Sequence, residues 1–264
     1  MMHMNRFQLS DKLSKSGPIK KVEFIQDKCR GKNVLDLGCI RHSADYAIND
    51  PDWLHQKIKA VAEKVIGVDY LLDDVMKLRD MGHDIVFGDV TKPLDIKEKF
   101  DVIVAGDLIE HLLNIEAFFL NCSRLLMENG ILIVTTPNPF FSGEYHYVSF
   151  KKQYLVNPEH TCWIDPQVML QLSERSGFFM DEIYFIDSRW KLKDLILESK
   201  EHEYNIIKGI WKNNNLNFKI KRKIASILFQ LFYGPLKLLT GAESPLVRYS
   251  DYLAVLKVNV LDGR

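Results

Sequence analysis

At 264 residues, with 47 % hydrophobic side chains, the chain can build the full core of one α/β domain with a decoration; a second domain is allowed but not required. A formal net charge of +0 excludes a global field that would draw nucleic acid or acidic substrates, so any such attraction must be local. Four scattered cysteines without CxxC spacing (Cys29, Cys39, Cys122 and Cys162) argue against a zinc site and a disulfide framework, and the lack of an apolar leader or of a run near 18 apolar residues points to a soluble or surface-associated protein of a reducing cytosol.

Residues 1–17 are polar and lack periodicity, which predicts a mobile start. Pro18 opens a predicted helix to about Arg30, partly apolar through Ile19, Val22, Phe24 and Ile25. Asn33-Val-Leu-Asp-Leu-Gly-Cys39 then reads as a buried parallel strand, answered by Val65-Ile-Gly-Val-Asp69. Between them lie an insertion from Ala44 to Asp52 and a helix from Trp53 to Ala62, which makes a βαβ unit. Ligands bind beyond the carboxyl ends of such strands, where Gly38 lets the backbone pass close and Asp69 can accept from a ribose.

Val34-Leu-Asp-Leu-Gly-Cys39 resembles the first motif of class I S-adenosylmethionine-dependent methyltransferases, and Val68-Asp69 the second. The resemblance implies an α/β fold with a seven-stranded, mostly parallel Rossmann-like sheet flanked by helices, the last strand antiparallel. It also implies S-adenosyl-L-methionine as donor, S-adenosyl-L-homocysteine as product, and donor contacts from Asp36, Gly38, Cys39, His42, Asp69 and Tyr70. The helix before the first strand would cap the cofactor or merely cover a sheet edge. One departure matters: where the family usually carries glycines, this loop has Ile40 and His42, so either it is remodelled or the cofactor is lost. A methyltransferase subgroup is similar in its Gly-Cys-x-x-His and Trp-Leu-His arrangement, which implies remodelling. His42 would approach the donor carboxylate or the substrate, or be a solvated loop histidine; His55 is a weaker candidate.

Leu71 to Met81 reads as a helix closed by Gly82, and Asp84 to Asp89 as strand three. The ending Gly88-Asp89-Val90 resembles the family's adenine-binding turn, although an acidic turn residue also serves local hydrogen bonds. Phe100 to Gly106 is strand four, followed by Asp107-Leu-Ile-Glu-His-Leu112, close to the family's acidic residue before Glu-His-Leu. Asp107 would lie under the methionine part of the donor or near the acceptor. Glu110 and His111 are expected to begin a helix, with Glu110 complementing its dipole and His111 fixing the loop or acting in catalysis. Ile115 to Met127 is a scaffold helix, and Asn129-Gly130 turns into strand five, Ile131 to Thr136. Thr135 to Phe140 resembles the Thr-Pro-Asn-Pro stretch of small-molecule and glycan methyltransferases; the Asn-Pro-Pro-aromatic signature of amino-methylating nucleic-acid enzymes belongs after strand four.

The aromatic stretch from Phe141 to Pro158 reads as a substrate lid. Pro166 starts a helix that runs to Ser176 and stops at Gly177. The histidine before it is similar to one in ubiquinone-pathway O-methyltransferases, which makes His160 the candidate general base, with Asp107 and His111 as partners; the alternative is a histidine bonded to its own loop. No metal triad stands out. Met180 to Ile186 and Tyr249 to Val258 are strands six and seven. Between them the stretch 188–249 carries 12 Lys or Arg against 5 Asp or Glu, a local excess of about 7, with a basic amphipathic helix over 219–239. That helix suits an anionic membrane surface, a partner groove, or packing on the body or a second subunit.

The expected organisation is an N-terminal segment and cap helix (1–30), a donor-binding core (31–187), a basic helical insertion (188–249) and a final core strand with the C-terminus (250–264). The expected activity is methyl transfer to a hydroxyl of a small-molecule, saccharide or lipid-linked acceptor, in the cytoplasm or at the inner membrane face, with no nucleic-acid partner. A methyltransferase-like interaction protein without catalysis is the alternative. A nicotinamide dehydrogenase fits less well, because Gly38 lacks the Gly-x-x-Gly remainder.

Overall fold

In a computed structural model, the described residues are 4, 6–15, 17–141, 144, 148, 157–186 and 249–259. Seven strands form one sheet in the order β3-β2-β1-β4-β5-β7-β6: β1 (Asn33–Leu37), β2 (Lys64–Asp69), β3 (Ile85–Phe87), β4 (Phe100–Gly106), β5 (Leu126–Pro137), β6 (Phe178–Phe185) and β7 (Asp251–Val258). The first five pair in parallel, and β7 runs antiparallel between β5 and β6, as the resemblance implies. Strands β1, β2 and β4 read as near-continuous apolar runs because both faces of the sheet are covered.

The side-chain alternation of β1 sorts the layers. Leu35 and Leu37 face a cluster built with α6 (Ile115–Leu125) and α7 (Pro166–Arg175), through Phe118, Phe119, Met169 and Leu170. Val34 faces the opposite cluster, built with Ile25 and Cys29 of α2 (Lys21–Cys29) and Ile58 of α4 (Leu54–Lys59). A third cluster joins Cys39, Ile40 and Trp53 to α3 (Ala44–Asn49) and α5 (Leu72–Asp80). Helix starts are fixed locally: Ser43 accepts from Tyr46 N, Asn114 from Ala117 N, and Asp165 from Gln167 N and Val168 N ahead of Pro166. Gly82 and Gly177 close α5 and α7 with positive φ, as expected.

Three expectations are corrected, and one stretch gains an element that was not expected. Residues 6–15 form α1 (Arg6–Lys15) instead of a mobile start, because Leu9 is buried and Lys12 reaches the Asp181 carbonyl at 2.6 Å. The insertion after Ser43 contains the short helix α3, whose Ala44 and Ala47 are buried. Asn129-Gly130 makes no turn; it lies within β5, where the Gly130 backbone packs against the Phe100 carbonyl. Glu110 and His111 belong to a separate 3-10 turn, Ile109–His111, and α6 starts afresh after Asn114. The aromatic lid over 141–158 lies largely, and the helix over 219–239 wholly, outside the described residues. Among the described residues, no helix is long and apolar enough to cross a membrane.

Strand order reverses direction between β1 and β4, so the crevice beyond Gly38 and Asp107 is the switch point where such sheets bind ligands. Gly67 of β2 supports that edge from within: a Cβ there would lie 2.6 Å from Cys39 Sγ and 3.0 Å from His55 Cε1. Gly67→Ala should therefore destabilise the fold by about 1–3 kcal/mol through overpacking. Thermal denaturation should show a drop of several degrees; an unchanged midpoint would contradict this packing.

Candidate functional site

At the switch point a cavity of about 280 Å³ is lined by Gly38, Asp69 and Tyr70 from the tips of β1 and β2. Gly88, Asp89 and Val90 after β3 close one side, and Leu108, His111 and Leu112 after β4 the other, with Glu159 at the rim. This is just below the roughly 300–1,000 Å³ typical of small-molecule sites. A larger depression of about 600 Å³, lined by Lys28, Asp101, Met127 and Asn129 among others, lies at the amino ends of the parallel strands. Open α/β sheets place ligands at the carboxyl ends, so the smaller cavity is the candidate site.

Gly38 has φ +69°, and a Cβ there would meet Leu108 Cδ1 at 2.9 Å, so conformation and space both require glycine. Asp69 is 4 % exposed; its Oδ2 accepts from Ile40 N at 2.8 Å and its Oδ1 from Leu71 N at 3.2 Å. Burial pushes its carboxyl up against these amide bonds, and Asp36 adds to the push. A carboxylate offers about four lone-pair directions, so acceptor capacity remains toward the cavity. Asp89 Oδ1 accepts from the Thr91 amide and hydroxyl, and its Oδ2 lies 3.3 Å from Lys92 Nζ. Those hydroxyl and amide bonds hold its carboxyl below the usual range. Tyr70 stands exposed at the cavity mouth.

The residues between Gly38 and Asp69 answer the question raised by the missing glycines. Ile40 is buried in the cluster with Trp53, Val75 and Leu78 and does not line the cavity. His42 takes φ +60° and sets its ring edge-on to Tyr46, 5.1 Å between centroids, on the exposed surface. Asp36 and Cys39 also lie off the cavity wall; Asp36 is bonded to His55 instead.

Beyond β4, Asp107 takes φ +51° and is gripped from two sides. Thr135 Oγ1 donates to its Oδ1 at 2.7 Å, and Lys21 of α2 pairs with its Oδ2 at 2.5 Å. Desolvation pushes the Asp107 carboxyl up, but Lys21, Thr135 and Arg41 outweigh it and hold it below its ordinary value. Glu110, only 2 % exposed, accepts from Thr136 Oγ1 at 3.0 Å through Oε2, while Oε1 is buried without a hydrogen-bond partner. Burial, then the nearby Asp107 charge, raise its pKa to about 8. Asp251, at the start of β7, is raised to about 6 by the same two causes.

The Glu110 carbonyl accepts from Thr161 N at 2.8 Å and Thr161 Oγ1 at 3.1 Å, which fastens the loop before α7 to the 3-10 turn. His160 is thereby set edge-on to His111, 4.7 Å between ring centroids and 89° between planes. Desolvation and the neighbouring His111 lower the His160 pKa, which favours its neutral imidazole. One ligand atom each from Glu110, His111 and His160 lie within 4.8 Å of one another, a set with metal-binding chemistry that no spacing in the sequence announced. Lys21, Thr135, Thr136 and Asp251 were also absent from the sequence candidates. Lys21 had a signal only in its place on the helix expected to cap the site.

Between about pH 4.5 and 8 the folded chain keeps the Glu110 proton that the unfolded chain releases. This group's contribution to stability is therefore fully present below its unfolded pKa and is lost as pH rises toward 8. Glu110→Gln, which mimics the protonated form, should raise the thermal midpoint by several degrees at about pH 8 and little at about pH 5. Equal pH dependence of the two proteins would contradict the buried, protonated Glu110.

A family profile described as "Methyltransferase domain" matches residues 9–183. Among curated relatives, a probable S-adenosylmethionine-dependent methyltransferase of Mycolicibacterium smegmatis is 29 % identical over 163 residues, 60 % of this chain and 56 % of the relative. A ubiquinone biosynthesis O-methyltransferase of Bradyrhizobium diazoefficiens is 26 % identical over 113 residues, 41 % of each chain. The chain thus spans about half the length, or less, of these relatives. A solved structure of a SAM-dependent methyltransferase from Archaeoglobus fulgidus shares the fold at TM-score 0.50 and 17 % identity, covering 96 % of this chain and 100 % of that one.

Proposed function

Since the chain belongs to the methyltransferase-domain family, we infer that it transfers a methyl group from S-adenosylmethionine to a hydroxyl of a small-molecule, saccharide or lipid-linked acceptor. The observation that carries this reading is the cavity between Gly38, Asp69 and the Asp89-Val90 turn, which opens onto His111. The residues fit the donor: glycine where backbone must come close, a buried carboxylate for ribose hydroxyls, and a turn with an apolar wall for a purine. When bound, the donor supplies a methyl carbon on a positively charged sulfur, open to in-line displacement.

Each wall then has a task. Asp69 accepts from the ribose, and Val90 with Tyr70 flanks the base. Lys21 and Asp107, paired with each other here, carry the charges complementary to an amino acid, a carboxylate facing Lys21 and an ammonium facing Asp107. His160 takes the acceptor proton, because its lowered pKa leaves a ring nitrogen free at neutral pH, and His111 orients it through the edge-on ring contact. Hydroxyl acceptors are supported by this neutral base and by the O-methyltransferase name of the Bradyrhizobium relative.

Asp69→Ala should weaken S-adenosylhomocysteine binding by roughly 10- to 100-fold in calorimetry through loss of charge-assisted bonds. Unchanged affinity would remove Asp69 from the donor site. A screen of phenols, sugars and lipid-linked acceptors, read by release of S-adenosylhomocysteine, tests the activity. On an acceptor so found, His160→Ala should lower turnover roughly 100-fold or more with donor binding intact. The acid limb of the wild-type profile should fall below the ordinary imidazole value of 6.5. A fully active His160→Ala protein would assign the proton transfer elsewhere.

A further inference from the structure

Two buried bonds under the loop after β1 have no part in the chemistry above. The Trp53 indole Nε1 donates to the Cys39 carbonyl at 2.7 Å. His55 Nδ1 lies 2.9 Å from Asp36 Oδ2, with both residues at 2 % exposure or less. A carboxylate only accepts, so the ring proton sits on Nδ1. Both donors come from one turn, Trp53 at the N-cap of α4 and His55 just inside it, and their acceptors lie on either side of Gly38. Gly67, without a side chain, leaves the slot that His55 and Cys39 fill.

The Cys39 carbonyl and the Ile40 amide belong to one planar peptide group, and in a trans peptide they point in opposite directions. Trp53 holds the carbonyl end, and the amide end donates to Asp69 Oδ2 at 2.8 Å. That single peptide therefore couples the start of α4 to the carboxylate at the tip of β2. It also fixes the direction of the Ile40 side chain, which is buried against Trp53 rather than in the cavity. The Asp36–His55 pair ties the strand beneath this peptide to the same turn, at the cost of burying a carboxylate that an apolar pair would avoid.

Resting on the donor reading above, we propose that Trp53 and His55 are positioning residues that do the work of the missing loop glycines. Trp53 clamps the Cys39–Ile40 peptide directly, and His55 holds the strand beneath it through Asp36, so that the peptide's amide aims Asp69 at the donor ribose. Their effect reaches the ligand through Asp69, so it shows in recognition of the ribose.

The test is calorimetry of the full chain with S-adenosylhomocysteine and with its 2′-deoxy analogue. Wild type should prefer the hydroxylated ligand. Trp53→Phe, which keeps the ring and removes the donor, should weaken S-adenosylhomocysteine binding about 10-fold, the worth of one hydrogen bond of about 1.4 kcal/mol, and lose most of that preference. His55→Leu should do the same, and His55→Asn, which keeps an N–H toward Asp36, should recover most of the affinity. A purely structural role would lower the melting temperature and leave the ribose preference of the folded protein unchanged. Should His55→Leu fail to fold, Trp53→Phe and His55→Asn decide the matter. Wild-type affinity and preference in Trp53→Phe would overturn the proposal, whereas a wild type that binds neither ligand would overturn the donor reading beneath it.

Discussion

The bond between the Ile40 amide and the Asp69 carboxylate is the constraint on which the rest of the site depends. It joins the loop after β1 to the tip of the neighbouring β2, beside the crevice where strand order reverses between β1 and β4. A loop built on glycines could lie flat there without help. This one carries side chains and takes φ +60° at His42, so its path must be imposed from outside. The imposition comes from Asp69 above and from Trp53 and the α3–α5 cluster behind. The same carboxylate therefore has two duties: it builds the loop, and it presents its remaining lone pairs to the cavity.

Around that cavity the carboxyls are crowded, and their crowding has chemical consequences. Asp107 keeps its charge because Lys21 and the Thr135 hydroxyl stabilise the carboxylate, and that charge adds to burial in raising Glu110 and Asp251. The result is a site edge in which one acid is ionised and another is held protonated. The loop before α7 completes the arrangement: the Thr161 amide and hydroxyl bond the Glu110 carbonyl, which sets the His160 ring edge-on to His111.

Much of the fold was legible because parallel strands buried on both faces leave long apolar runs, as in Val102 to Ala105, and because Gly82 and Gly177 mark helix ends. The cavity residues Gly38, Asp69, Asp89 and Val90 sit at or just past strand tips, where the topology alone predicts a ligand edge. Other features were illegible for physical reasons. Glu110 looked like a helix-start acid, but a 3-10 turn and Thr136 draw it into the interior, and both depend on tertiary packing. Asp36 shares a strand with the ligand-edge residues, yet the pleat sends it to the α4 side, where only the fold reveals His55. Lys21 meets Asp107 across 86 residues, a distance that no local pattern encodes.

On the proposed function, this edge receives an adenosyl group even though Ile40 and His42 replace glycines. A crystal structure of the protein with S-adenosylhomocysteine tests it most directly. Ribose hydroxyls should lie on Asp69 and the base between Tyr70 and Val90, with Ile40 still packed against Trp53. Density for the ligand elsewhere, or a cavity filled by the Ile40 side chain, would contradict it.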